Sequence, residues 1–215
     1  MNFKAFIFPQ KIVTEQSFFN AKIEIVEFLG RKSLRVNGLT QSGSIVEDIY
    51  KNIFPEFPKI KKNSDVKDIL ILGLGGGSFA KLCNDHLPQA KMVGVEIDEK
   101  IIKLSKEYLG LEAVNNLQII CQDAIPYITK HDLKKKYDLI FADLYFGEKI
   151  AQELESKEFL LRIKKLLKKN GIIIFNRFNW GKYKRKNEEF TKLLRSIFKD
   201  IKTKKSYSNL IIFAF

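Results

Sequence analysis

Several side-chain types are scarce in this 215-residue chain, and each scarcity closes a door. There are two cysteines. Cys83 and Cys121 lie far apart with no metal-ligand or redox spacing, which excludes a disulfide framework and leaves buried, reduced thiols as the plain reading. The two histidines, His86 and His131, fall in a helix and near a helix end, and neither is placed as a ligand or base. Apolar runs such as 210–215 are far too short to span a bilayer. Residues 1–9 hold one lysine and no small-residue cleavage site, so no secretory signal is expected. Internal repeats and low-complexity segments are absent. A cytoplasmic enzyme or binding protein fits these exclusions.

What is there begins with an ordinary core. Hydrophobic residues make up 45% and charged ones 29%, values of a folded globular chain with room for one core and a small appendage. Acids are outnumbered, 25 against 38 basic residues, for a net charge of +13. Lysines cluster at 134–136, 164–169, 182–186 and 202–205. Such an excess can attract nucleic acid, but a solvated face explains it equally simply and is preferred. No aromatic-interleaved strand for stacking bases stands out.

Residues 3–8 and 21–28 read as strands, with turns at 30–32 and at Asn37-Gly38. Ser44 and Glu47 form the pattern of a capping box opening a helix whose apolar face is Ile45, Ile49 and Ile53 beside Val46, Tyr50 and Phe54. Pro55 and Pro58 end that helix, and polar residues 59–65 suit a boundary between segments 1–62 and 63–215. Beyond it strand and helix alternate. Strands are expected at 67–73, 91–97, 117–121, 137–143 and 171–176, and helices at 156–169 and 187–198. Two last strands, 200–206 and 209–215, are joined too closely to be parallel. The fold class is α/β, a doubly wound, mostly parallel Rossmann-like sheet with a small β-rich N-terminal domain.

"DILILGLGGGSF" places Gly73, Gly75, Gly76 and Gly77 between the first strand and first helix of that sheet. A ligand can touch bare backbone there, and the helix N-terminus beyond offers N–H groups. Glu96 ends the second strand, where a carboxylate reaches the two hydroxyls of a ribose; a solvent-facing strand end is the plainer alternative. In "CQDA", Asp123 and Ala124 follow the third strand. Asp123 is placed to accept from an exocyclic amine, or simply to cap a helix. No Gly-Lys-Ser/Thr ends the glycine turn, which excludes a P-loop, and Ser78 breaks the dinucleotide fingerprint. G-x-G-G-G with an acidic second strand instead looks like a site for S-adenosylmethionine.

The quoted motifs, with "NGLTQ" and Tyr50 nine residues after Gln41, then "VEIDEKI", "QDA" and "YDLIFADLY", resemble the spermidine synthases, the polyamine aminopropyltransferases. The resemblance implies that the N-terminal part covers the substrate and helps form oligomers. It implies that Gln41 contacts the donor, and that Tyr50 and Asp143 handle the attacking amine. Tyr145 and Phe146 would line the acceptor pocket, with core packing as the alternative.

Two departures set the expected reaction. Gly76 stands where the family pattern has an aspartate that pairs with the ammonium arm of a decarboxylated donor, a contact worth about 4 kcal/mol at 4 Å and an effective dielectric of 20. Phe146 stands where the family has a second acid after the fourth strand. Both losses favour methyl transfer from intact S-adenosylmethionine to a small acceptor, with Asp143 as base or as an orienting group and Tyr50 assisting. Aminopropyl transfer from the decarboxylated donor is the alternative, and nucleic-acid binding the alternative of another class. Against methylation of bases, "DLYF" is not the D/N-P-P-Y/F turn. No metal is expected, and a homodimer is left open.

Overall fold

A computed structural model describes residues 8–56, 66–129, 136–145, 150 and 152–215. Phe146, His131 and the expected boundary at 59–65 lie outside them, as does nearly all of the strand expected at 3–8.

Four antiparallel strands come first: β1 (Gln10–Glu15), β2 (Ile23–Phe28), β3 (Arg31–Val36) and β4 (Leu39–Gly43). Leu29-Gly30 and Asn37-Gly38 have positive φ at both positions, the two-residue turns whose twist matches a hairpin. Alternation along β2 and β3 turns Ile23, Ile25, Leu34 and Val36 to one face. That face packs on Ile101, Leu104 and Leu109 of α3 (Glu99–Leu109). Each such buried aliphatic side chain contributes about 1.5–3 kcal/mol, so the small sheet is held to α3 by a core of its own.

Helix α1 (Ser44–Lys51) starts where expected, but its cap differs. Gly43, at φ +78°, is the N-cap residue, while Glu47 accepts from Arg31 and Lys81 instead of reaching back. The helix ends at Lys51, ahead of Pro55. Val46, Ile49, Tyr50, Ile53 and Phe54 are buried, whereas Ile45 lies 48% exposed on the outer side.

The large sheet has the order β10-β11-β9-β8-β5-β6-β7. Its parallel strands are β5 (Asp68–Leu72), β6 (Lys91–Glu96), β7 (Leu117–Cys121), β8 (Tyr137–Ala142) and β9 (Leu167–Phe178). β10 (Ile201–Ser206) and β11 (Asn209–Ala214) close the sheet in antiparallel fashion. The helices α2 (Ser78–His86), α4 (Ala124–Thr129), α5 (Lys157–Lys165) and α6 (Tyr183–Arg195) complete the layers with α1 and α3. One apolar cluster runs from α1 and α2 to one face of the sheet, another from α4, α5 and α6 to the other. The strand order reverses at β5, which is flanked by β6 on one side and β8 on the other. Such a switch point opens a crevice at the carboxyl ends of the strands.

Helix α5 is shorter than its sequence period implies. Leu166 and Leu167 continue the apolar spacing, yet Tyr137 N–H donates to the Leu166 carbonyl at 2.7 Å and Leu167 pairs with Tyr137. The sheet captures the chain before Asn170-Gly171, which forms an irregularity inside β9 instead of a helix end. Lys164, Lys165, Lys169, Lys182, Lys184, Lys186, Lys202 and Lys205 are exposed, as a solvated basic surface requires. Among the described residues, no helix is long and apolar enough to cross a membrane.

Candidate active site

The crevice is a cavity of about 460 Å³, a volume that suits a small organic ligand. Residues from the carboxyl ends of successive strands converge on it: Gly73, Leu74 and Gly75 after β5, Glu96 from β6, Asp123 and Ala124 after β7, and Asp143 and Tyr145 after β8. The N-terminal segment adds Phe18, Phe19, Asn20, Gln41 and Ser42, and α1 adds Tyr50.

The four glycines have different reasons to be there. A Cβ at Gly73 would lie 2.2 Å from the Asp143 carbonyl oxygen, and φ is +82°, so this glycine lets the ends of β5 and β8 touch. Gly75, at φ +52°, has no closer neighbour than Ser42 Oγ at 3.7 Å, so it is the open one of the four. Gly76 and Gly77, expected at the ligand, do not line the cavity. Their missing side chains leave space taken by Ser42 and Leu109, and by Leu111. The loop's own N–H groups are largely engaged. Gly73 and Leu74 N–H donate to the Val95 carbonyl, Gly75 N–H to Glu96, and Gly77 N–H to the Leu74 carbonyl. This loop is no phosphate cradle.

Glu96 is held as well as placed. Its carboxylate accepts from Gly75 N–H at 2.8 Å, Ile97 N–H at 2.9 Å and Asp98 N–H at 3.1 Å. Burial nevertheless pushes its pKa above the usual carboxylate range, against those hydrogen bonds. Asp123 accepts from Ile125 N–H at 2.8 Å as a helix cap, and it lines the cavity beside Ala124.

Asp143 receives two donors. Tyr50 O–H bonds one carboxylate oxygen, and Asn176 Nδ2, from β9, reaches the other at 3.0 Å. Desolvation pushes Asp143 up to about 6 despite both bonds, and burial together with the Asp143 charge drives the Tyr50 phenol well above its ordinary value. The Tyr50 ring is fixed edge-on against Phe141 and Phe79, 5.2 and 5.8 Å away, and those two rings stack on each other. Tyr145 is oriented by its backbone partners, accepting from Phe178 N–H at 2.7 Å and donating to the Asn176 carbonyl at 3.3 Å.

Sequence reasoning missed several members. The loop between β1 and β2 is clipped to α3: Ser17 O–H and Asn20 Nδ2 both donate to Asp98 Oδ2, while Asp98 Oδ1 caps the helix through Lys100 N–H. That clip carries Phe18, 97% exposed, and Phe19 to the cavity. Asn176, the partner of Asp143, was also missed. Its only sequence signal is that it is the first polar side chain to break the apolar run in "GIIIFNRF". No cluster of three His, Cys, Asp or Glu able to hold a metal ion occurs among the described residues.

The Spermine/spermidine synthase domain matches residues 47–212. A polyamine aminopropyltransferase of Vibrio vulnificus is 36% identical over 121 residues, 56% of this chain and 40% of the relative. One of Prochlorococcus marinus is 29% identical over 186 residues, 84% of this chain and 65% of the relative. The chain spans about half the length of the curated relatives it matches. A probable spermidine synthase from Corynebacterium glutamicum shares the fold with a TM-score of 0.78 at 18% identity, over 95% of this chain and 79% of that one. The domain match takes in Tyr50, Glu96, Asp123 and Asp143 together, and on it the chain belongs to the spermine/spermidine synthase family.

Proposed function

We propose that this chain is a polyamine aminopropyltransferase, moving the propylamine arm of decarboxylated S-adenosylmethionine to an amine of a small polyamine. One observation carries the reading. In a chain with 38 lysines and arginines, no described residue lining the cavity is basic, while Glu96, Asp123 and Asp143 are acids. A cavity of that sign attracts an ammonium-ended donor arm and a cationic acceptor. The carboxylate of intact S-adenosylmethionine would find no basic side chain among the described lining residues. The relatives named as aminopropyltransferases point the same way.

Methyl transfer, the expectation from Gly76 and Phe146, becomes the second reading. Position 76 favours it: a Cβ there would lie 2.3 Å from Ser42 Cβ, so no acid has room at that point. Phe146 lies outside the described residues and adds nothing.

The residues divide the work. Glu96 takes the ribose hydroxyls, Asp123 and Ala124 the base, and Gln41 and the backbone at Gly73–Gly75 the donor's sulfur end, a division supported by all of them lining the cavity. The sulfonium of the donor supplies a good leaving group that needs no acid. Asp143 takes the proton of the attacking amine. At about 6, its pKa makes it a stronger base than an exposed aspartate and still ionised at neutral pH. Tyr50, held on Asp143, keeps that carboxyl aimed into the cavity.

Calorimetric titration with both donors, followed by mass analysis of the product formed on a diamine, tests the choice. The decarboxylated donor is expected to bind about tenfold tighter or better, the size of a single weak charge contact. Tighter binding of the intact donor with a methylated product overturns it.

A further inference from the structure

We propose that Asn209 is a positioning residue for this reaction, fixing through Asn176 one of the two hydrogen-bond donors that hold the Asp143 carboxyl. The inference rests on Asp143 as the base proposed above.

A carboxylate only accepts, so Asn176 must turn its NH₂ toward Asp143 and leave its carbonyl oxygen facing away. That oxygen is buried and needs a donor of its own. Asn209 supplies it, with Nδ2 2.7 Å from Asn176 Oδ1. Asn209 is oriented in turn by Ser208, whose Oγ donates to Asn209 Oδ1 at 3.2 Å. The order is Ser208, Asn209, Asn176, Asp143, with every amide sense set by the next.

Register makes the chain possible. Asn176 pairs with Ile211 across β9 and β11, and Asn209, two residues earlier on β11, lies on the same face as its diagonal neighbour. Both asparagines are buried, 8% and 4% exposed, at a sheet position otherwise filled by isoleucine and phenylalanine. Two adjoining amides in such a place are costly unless paired.

The other titratable groups facing Asp143 are Tyr50 from α1 and Tyr145 after β8, with Glu96 of β6 and Asp123 across the cavity. Arg177, next on β9, is committed elsewhere, to Glu155, Asn187 and the face of Phe190. Asn176 is thus the donor to Asp143 whose aim depends on a further residue.

The test follows the Asp143 carboxyl by ¹³C NMR in the substrate-free protein, alongside the pH dependence of kcat/KM. Losing its anchor, Asn176 donates less well. The Asp143 midpoint is expected to rise by about one unit in N209L, a tenfold change in ionisation, and the acidic limb of kcat/KM to move with it. N209A, which adds no bulk, is expected to move it the same way if N209L fails to fold. In an N176L background, N209L is expected to add no further shift, because the relay is already cut. An unmoved midpoint in N209L and N209A, or an additive shift in the double variant, overturns the proposal. A shifted midpoint without transfer from either donor upholds the relay and sinks the aminopropyltransferase reading instead.

Discussion

Strand β8 carries one aspartate near its start and is followed at its end by another, five residues on, and the protein treats them in opposite ways. Asp138 lies near the start of the strand. It accepts from Lys67 N–H at 2.9 Å, Asp68 N–H at 3.0 Å and Lys168 Nζ at 2.9 Å. Burial works to raise its pKa, but these donors outweigh burial and hold the carboxyl below its ordinary value. Asp143 follows the far end of the strand. Among the described residues its side-chain donors are a phenol and an amide, with no cation, so burial wins and the value rises to about 6. A carboxyl held down by a lysine is tied into the fold and useless as a base. One left under-compensated is costly to the fold and reactive, which is the general division between structural and functional acids.

Removing the reactive acid should give the largest effect. D143N is expected to lower kcat by about 10²–10⁴-fold, the usual worth of general-base assistance. Calorimetry should find donor binding within a few-fold of wild type and a melting temperature no lower. Wild-type turnover in D143N would reduce Asp143 to scaffolding and erase the contrast.

Removing the structural acid should do the reverse. D138N leaves Lys168 and two backbone N–H groups short of a carboxylate. Lys168 stays 34% exposed and can turn to water or to Asp68, 2.6 Å away, so the loss is expected near 2 kcal/mol, below that of a fully buried pair. That is a fall of about 4–8 °C in melting temperature for a chain of this size, read by calorimetry, with kcat per folded molecule unchanged. A large loss of kcat would show the two ends of β8 to be coupled.

pH separates them within one molecule. Asp143 has a folded value above its unfolded one, so it binds a proton on folding. Stability gains from it as pH falls through about 6, while activity is lost over the same range because the base is protonated. Asp138 has a depressed folded value. Its contribution is full above the ordinary aspartate range and is lost as pH falls through the folded value. Between pH 7 and 5, activity should therefore fall while the Asp143 contribution to stability rises. Parallel curves would mean that one group governs both.

The contrast also marks what can be read from a sequence. Glu96 and Asp123 were legible because each ends or follows an apolar run, and the carboxyl ends of parallel strands are where such sheets bind ligands; Asp143 was legible through the resemblance of "YDLIFADLY" to the spermidine synthases. The sheet itself was legible from apolar spacing, down to its antiparallel finish. Asp98 with Ser17 and Asn20, and Asn176 with Asn209, were not. Those links join residues 33 or more apart, and only strand register or loop placement brings them together. Gly76 and Gly77 were misplaced for another reason. A glycine announces that a side chain is missing, not whether a ligand, Ser42 or Leu111 takes the space. The end of α5 was overrun because Leu166 and Leu167 keep the helical period while the sheet pairs them with Tyr137.

The smallest expected effect comes from the cation that makes Asp138 structural. Lys168 reaches Asp138 and Asp68 from a part-exposed position, so its charge acts partly through water and its deletion costs less than the deletion of either partner. K168M, which keeps the stem and removes the ammonium, is expected to cost about 1 kcal/mol at neutral pH. Its sharper signature is in acid. Without the ammonium, desolvation at Asp138 meets fewer donors, so the folded value rises toward the ordinary one. The stability that Asp138 contributes is then lost at a higher pH, and the midpoint of acid unfolding should move up. The activity profile near pH 6 should stay where it is, because Asp143 has no part in that pairing. An acid midpoint unmoved in K168M would mean that Asp138 is held down without the lysine, and that the difference between the two ends of β8 lies in its other donors, the Lys67 and Asp68 N–H groups among them.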